Sequence, residues 1–336
     1  MFKVQISFAD RGGSPGLFYC TSAPLTPYNE SETRRRWTGG IGGEFMKHEM
    51  NIWVVGGDLR HVKLAQLLAE DGHTVYTYAL GEPPEGGQGL TAEDSMRQAI
   101  LADCVSLPLT VTDGAGLLNA PLSPCEHPII PILDRLSPRQ FICGGRVDRE
   151  TEELAKERGL IIHDYFAREE LAVANAVPTA EGAVQLAMEH LPITIHGAKI
   201  LVVGFGRVGR LTAQRFQAMG GRVSVAARRY DQLAWAQAMG FGGEHLSHLR
   251  GWLCGYDLVV NTVPARVLGQ EELEDLKSDC LILDLASKPG GVDLAAAGEL
   301  GLTVIWALAL PGKVAPVTAG AAIRDTIYNM LREAGA

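Results

Sequence analysis

The sequence predicts an α/β protein with two Rossmann-like doubly wound domains, a linker helix between them, and a C-terminal helix packing back on the first domain. Three observations predict it. Short apolar runs alternate with stretches of helical period from Asn51 onward. Residues 199–229 form a strand, a glycine motif, a helix and a second strand. A related strand–turn–helix–strand unit opens at Asn51, with Gly56-Gly57-Asp58 where the full motif would stand.

The chain has 336 residues, enough for two ordinary domains. Its net charge is −9, and Arg34-Arg35-Arg36 is a short, isolated basic run, so no nucleic-acid partner is expected. No apolar run approaches a membrane span. The six cysteines form no CxxC pair and the nine histidines no zinc-type spacing. No metal site is expected, and the thiols fit a reducing cytoplasm.

Residues 1–49 have little periodicity and many turn formers, with no signal-peptide core. They read as an extension, either disordered or produced by a mis-assigned start. Gly42-Gly43-Glu44 is compatible with a purine-rich ribosome-binding stretch before Met46, which makes Met46 or Met50 the alternative start.

The first domain is expected over residues 51–175 plus 315–336. Residues 52–55 and 74–78 read as strands. Between them lies a helix over 59–70, with Val62, Ala65 and Leu68 inward and Gly72 as its stop. Asp58 caps that helix, alone or together with a ligand contact, and Arg60 and His61 stand at the same place. Residues 81–89 are a loop, 92–100 a helix and 104–108 a strand. The polar stretch 110–116, with Thr112, is a ligand-loop candidate, and 117–126 is irregular. A strand at 139–143, a helix at 151–158 and a strand at 160–162 lead to His163.

Residues 175–191 link the domains. Pro178-Thr179-Ala180-Glu181-Gly182 reads as a helix start capped by Thr179, where an anion is favoured. A glycine at position 182 costs helix stability, which a close ligand would explain; an ordinary capped linker is the alternative.

The second domain, residues 176–314, carries Gly204-Phe205-Gly206-Arg207-Val208-Gly209. Gly204 permits the tight turn, Gly206 lets a pyrophosphate approach the backbone, and Gly209 lets the helix lie close on the strand. The next strand ends in Ala226-Ala227-Arg228-Arg229, with no carboxylate before Asp231. An NAD site usually holds the ribose 2′-OH with an acid there, whereas arginines grip a 2′-phosphate. NADP is therefore the expected cofactor, with NAD possible and two plain surface arginines the alternative. A helix is expected over 231–239. Strands at 258–261, 280–285 and 302–307 deliver Thr262-Val263-Pro264, Ala286 with Lys288, and Lys313 to one rim. The lysines suit an anionic substrate or are solvated surface groups. The last helix is expected over 319–331, just after Thr318.

GGDLR, VPTAEGAVQLAME, VVGFGRVG, NTVP, DLASKPGG and LPGKVAPVTAG together resemble the A-subunit family of dipicolinate synthases from spore-forming bacteria, over residues 51–331. The resemblance implies an NAD(P)-dependent dehydrogenase component. It would act in the mother-cell cytoplasm on a cyclic dicarboxylate derived from hydroxytetrahydrodipicolinate, yielding dipicolinate. It also implies partnership with a flavoprotein-like B subunit, and a homo-oligomer is expected. Position makes Asp58, His163, Glu181 and Lys313 the catalytic candidates, and Arg60, Thr112, Pro178, Thr179, Ala180, Gly182 and Thr318 the substrate contacts. Two alternatives are a stand-alone NADP-dependent dehydrogenase of another small acid and a non-catalytic nucleotide-binding regulatory subunit.

Overall fold

The computed structural model describes residues 48–81 and 89–335. The expectations for the N-terminal extension and the interior of the 81–89 loop fall outside them. Two parallel six-stranded sheets form the framework. The first contains β1 (Asn51–Val55), β2 (Thr74–Tyr78), β3 (Leu90–Ala92), β4 (Cys104–Leu109), β5 (Phe141–Gly145) and β6 (Ile162–Asp164). The second contains β7 (Lys199–Val203), β8 (Arg222–Ala227), β9 (Gly242–His245), β10 (Leu258–Asn261), β11 (Leu281–Asp284) and β12 (Thr303–Trp306).

Their orders are β3-β2-β1-β4-β5-β6 and β12-β11-β10-β7-β8-β9, so each sheet reverses direction between its first and fourth strands. Ligands of such sheets bind outside the carboxyl ends at that reversal. The strands are apolar along their length because helices cover both faces: Trp53, Val54 and Val55 are fully buried, as are Leu201, Val202 and Val203.

The helices are α1 (Leu59–Glu70), α2 (Ile129–Leu133), α3 (Arg149–Glu157), α4 (Glu169–His190), α5 (Arg207–Ala218), α6 (Tyr230–Ala238), α7 (Gln270–Glu274), α8 (Leu294–Glu299), α9 (Leu310–Val314) and α10 (Pro316–Ala334). Among the described residues no helix is long and apolar enough to cross a membrane.

Two expectations are corrected here. The helix over 92–100 does not form. Only its first residue, Ala92, joins the sheet, as the end of β3, with Val75 opposite Leu90 and Thr77 opposite Ala92, and a short turn follows at Ala99–Leu101. Strand pairing of Ala92 takes the first residue of the expected helix. The helix expected to begin at Thr179 begins ten residues earlier, and Pro178 lies inside it. The Thr179 hydroxyl donates to the Asn175 carbonyl, 2.7 Å away, within the helix. The free N–H groups expected at 179–182 are therefore absent, and with them the reason for an anion at Pro178, Thr179, Ala180 and Gly182. Gly182 has a packing explanation instead: a Cβ there would sit 3.0 Å from Val314 and 3.1 Å from Leu310 on α9.

The C-terminal helix lies on α1. A Cβ at Gly320 would come within 2.8 Å of the Arg60 carbonyl oxygen, so the glycine permits close helix contact. At the far end of α1, the Met50 N–H donates to His73 Nδ1 (3.2 Å), and His73 Nε2 meets the Tyr328 hydroxyl (3.0 Å). That hydroxyl donates to Asp71 (2.9 Å), which also pairs with Arg324 (3.2 Å). Burial lowers the affinity of His73 for a proton, against the pull of Asp71 and Glu49. His61 and His127 are lowered by burial as well. The unfolded chain then binds more protons than the native one below the ordinary histidine pKa of about 6.5. The contribution is present above that pKa and is lost as pH falls through the native values. Melting followed from pH 7 down to pH 5.5 is expected to show a falling midpoint. The slope should be shallower in His73→Asn, whose amide oxygen can still accept from Met50.

Candidate functional site

The glycine motif has the expected geometry. Gly204 takes a φ of +94°, and a Cβ there would lie 2.4 Å from Thr262 Oγ1. A Cβ at Gly209 would lie 2.1 Å from the Gly204 carbonyl oxygen, so the helix touches the turn backbone. Gly206 is the N-cap of α5, and a Cβ there would meet nothing within 4 Å. The first N–H groups of a helix have no partner within it, and above Gly206 they face open space suited to a pyrophosphate. Phe205 is buried against Phe241, Val208 is half-buried, and Arg207 points outward to Glu169 at 2.8 Å.

Ala227 ends β8, buried, and the two arginines after it differ. Arg229 is held by Asp231, with Nε 2.9 Å from Oδ1. Arg228 is exposed, and its guanidinium has no ion-pair partner among the described residues. Its carbonyl accepts from His245 Nε2 at 2.9 Å, and Tyr230 stacks on that imidazole.

At the reversal of the second sheet, the Thr262 hydroxyl donates to the Val203 carbonyl (2.9 Å), which fixes the Thr262-Val263-Pro264 turn beside Gly204. Two residues that sequence reasoning missed hold this rim. Asp284, buried at the end of β11, accepts from Asn261 Nδ2 (2.8 Å), Ala286 N (3.0 Å) and Gly291 N (2.8 Å). Asn261 in turn holds Val263 through N–H and carbonyl contacts of 3.0 Å each. A polar residue closing each of two apolar strands, LVVN and LILD, was the available signal. Lys288 is exposed on the loop beyond Ala286.

At the first sheet, Asp58 caps α1 by accepting from Arg60 N at 3.0 Å. It also grips the Arg60 side chain, with Nε at 2.9 Å and a terminal nitrogen at 2.7 Å. The same guanidinium donates to the Leu109 carbonyl (3.1 Å). Burial opposes the Asp58 charge, but His61 when it carries a proton and the Arg60 fork favour it and hold the carboxyl well below the usual carboxylate range. A carboxylate so reluctant to take a proton is poorly suited to act as a general base, which weighs against the base role expected for Asp58.

His61 is fully buried. Its Nε2 is 3.1 Å from the Tyr165 hydroxyl, which donates to the Leu107 carbonyl (2.9 Å). Its Nδ1 has no hydrogen-bond partner and faces Asp58 Oδ1 at 3.7 Å.

Helix α9 covers this pair: a Cβ at Gly312 would lie 3.1 Å from Arg60 Nε and 3.2 Å from Asp58 Oδ2. Lys313 is the next residue and is exposed, as is Thr318 in the first turn of α10. Asp58, Arg60 and the Lys313 helix are thus brought together.

Thr112 lies elsewhere on the loops after β4, donating to Asp148 at 2.6 Å; Asp148 itself caps α3. The His163 ring stacks on Phe141, and His163 pairs with Cys143 in the middle of β5. Glu181 is exposed on α4, 3.8 Å from Arg215 of α5. Among the described residues no group of three or more His, Cys, Asp or Glu could hold a metal ion.

Comparison with known proteins covers both sheets. Residues 51–166 match the N-terminal domain of the dipicolinate synthase A subunit, and residues 169–288 match the NAD-binding domain of D-isomer-specific 2-hydroxyacid dehydrogenases. The dipicolinate synthase A subunit of Bacillus subtilis (strain 168) is 33% identical over 288 residues, covering 84% of this chain and 96% of that protein. The crystal structure of the Bacillus subtilis protein superposes with a TM-score of 0.76 at 32% identity, over 86% of this chain and 98% of that one. That of the corresponding protein from Bacillus halodurans gives 0.75 at 29% identity, over 84% and 98%.

Proposed function

Because the chain belongs to the A-subunit family of dipicolinate synthases and is an NAD(P)-dependent oxidoreductase, we propose that it oxidises a dihydrodipicolinate-type intermediate, formed from hydroxytetrahydrodipicolinate, to dipicolinate. The open backbone cradle at Gly206, with the Asp58–Arg60 pair at the rim of the other sheet, carries this reading. Cofactor binding is assigned to residues 176–314 and substrate binding to 51–175 with 315–336. The setting is the mother-cell cytoplasm of a sporulating bacterium, and the partner is a flavoprotein-like B subunit.

When bound, the nicotinamide supplies the hydride acceptor. The chain's own work is orientation and charge. The α5 N-terminus and Gly206 receive the pyrophosphate, and the Thr262–Pro264 turn lies where the nicotinamide ribose passes. Arg60, with Lys313 on the helix that covers it and Thr318 in the first turn of α10, offers cations and a hydroxyl to the substrate carboxylates. Aromatisation favours the oxidation, so fixing the ring is the main demand on the protein.

NADP is the cofactor we assign, and Arg228 is its 2′-phosphate contact, because Asp231 already occupies Arg229. Arg228→Ala is expected to raise the KM for NADP about tenfold or more, the loss of one charge-assisted contact, and to change NAD little. Equal losses for both cofactors would refute the assignment. The reaction itself is tested by mixing the chain with NADP and freshly generated hydroxytetrahydrodipicolinate, with and without the flavoprotein. Reduced cofactor and dipicolinate should appear together. Cofactor binding with neither product in the presence of the partner would turn the reading to a regulatory role without chemistry.

A further inference from the structure

His61 has a buried nitrogen that nothing satisfies, and buried polar atoms of that kind ask for an explanation. The tautomer follows from the neighbours. Tyr165 spends its one hydroxyl proton on the Leu107 carbonyl, so His61 must donate to Tyr165 from Nε2. Nδ1 is then a bare lone pair turned toward the Asp58 carboxylate, 3.7 Å away. Gly57 leaves the ring its place, since a Cβ there would lie 2.3 Å from it. The charged and titratable groups around it are Asp58 and Arg60 on α1 and Tyr165 after β6, with the Cys143 thiol of β5 acting on Tyr165. Burial keeps the resting ring neutral.

Charge counting then decides what an incoming carboxylate does. At rest Asp58 and Arg60 cancel, and His61 carries no charge. A substrate carboxylate that takes Arg60 leaves Asp58 as an unpaired, half-buried anion, which is costly. A proton on Nδ1 removes that cost and fills the vacant hydrogen-bonding position in one step. We propose that His61 is a positioning residue of the substrate site, taking one proton from solvent at Nδ1 when a substrate carboxylate draws Arg60 off Asp58. The substrate anion then pairs with Arg60, Asp58 pairs with the imidazolium, and the cluster stays neutral. This rests on the reading that the α1 rim receives the dicarboxylate.

The test is titration calorimetry of the full chain with pyridine-2,6-dicarboxylate near pH 8, in buffers of unlike ionisation enthalpy. About one proton should be taken up per dicarboxylate bound, and the Kd should rise about tenfold per pH unit as a consequence. His61→Gln keeps a donor toward Tyr165 and cannot titrate, so uptake should vanish. Tyr165→Phe releases the Nε2 proton, letting a neutral ring donate from Nδ1, and uptake should drop by half or more. That variant carries the test if His61→Gln does not fold. Undiminished uptake in either variant overturns the proposal. Arg60→Gln separates the two ideas. If it leaves affinity and uptake untouched, the rim reading fails. If it weakens binding tenfold while His61→Gln still takes up the proton, only the role of His61 fails.

Discussion

Gly206→Val is expected to keep its stability and lose the dinucleotide, whereas Gly209→Ala is expected to lose stability as well as dinucleotide affinity. The two glycines sit three residues apart in one motif but differ in surroundings. A Cβ at Gly206 meets nothing within 4 Å, and the residue's φ of −83° and ψ of −159° are open to valine. The apo protein should melt within about 0.5 kcal/mol of the parent, as at other uncrowded surface positions. The isopropyl group, however, occupies the space over the α5 N-terminus where the phosphates approach. NADPH affinity should fall on the order of 100-fold, or about 2.7 kcal/mol. At Gly209 the added methyl would stand 2.1 Å from a backbone oxygen, which cannot swing away as a side chain can. The helix must lift off the turn, at a cost of about 1–3 kcal/mol for overpacking, seen as several degrees in the melt. Paired melts and NADPH fluorescence titrations separate the cases. A Gly206→Val protein that binds NADPH like the parent would remove the pyrophosphate from this end of α5.

The second sheet was legible because its signals are local. The motif, the apolar strands and the terminating glycines lie within a few residues of the features they specify, and β7, β8 and β10 stand where the periodicity put them. What was illegible depended on distant partners. The helix expected over 92–100 does not form, and its first residue ends a strand on the open edge of β2. β9, with the sequence GGEH, has no strand pattern at all and exists through pairing with β8. The start of α4 was misplaced because Pro178 and Thr179 together imitate a helix N-terminus, while the apolar residues before them continue the helix backward. The first-sheet rim was half legible. Asp58, Arg60 and His61 lie next to one another in sequence, but the bidentate grip that makes Asp58 a poor base depends on side-chain geometry. The neutral, half-satisfied state of His61 depends on Tyr165, 104 residues away.

Asp284→Ala should be among the most damaging single changes outside the glycine motif, although Asp284 lies beyond the residues that the pattern marks for cofactor binding. Its two oxygens collect Asn261 Nδ2, Ala286 N and Gly291 N at 2.8–3.0 Å, and the site is closed to water. Removing the carboxylate strands three donors where no solvent replaces it, a loss of about 3 kcal/mol or more. The loops that depend on it are the ones at the cofactor rim. Asn261 orients Val263, whose neighbour Thr262 bonds to Val203 beside the glycine turn. The Ala286 carbonyl accepts from Trp306 Nε1 at 2.8 Å, so the same knot reaches β12. Room for a substitute is small, since a Cβ at Gly291 would already lie 2.2 Å from the Asn261 amide. Asp284→Asn is the informative companion. It keeps the shape but turns an NH2 toward one of the three donors, so it should lose less stability than alanine while still raising the NADP KM. If the knot served stability alone, Asp284→Asn would lower the melting midpoint and leave the KM where it was. A raised KM at a temperature well below the melt identifies the knot as the support that fixes the cofactor turn.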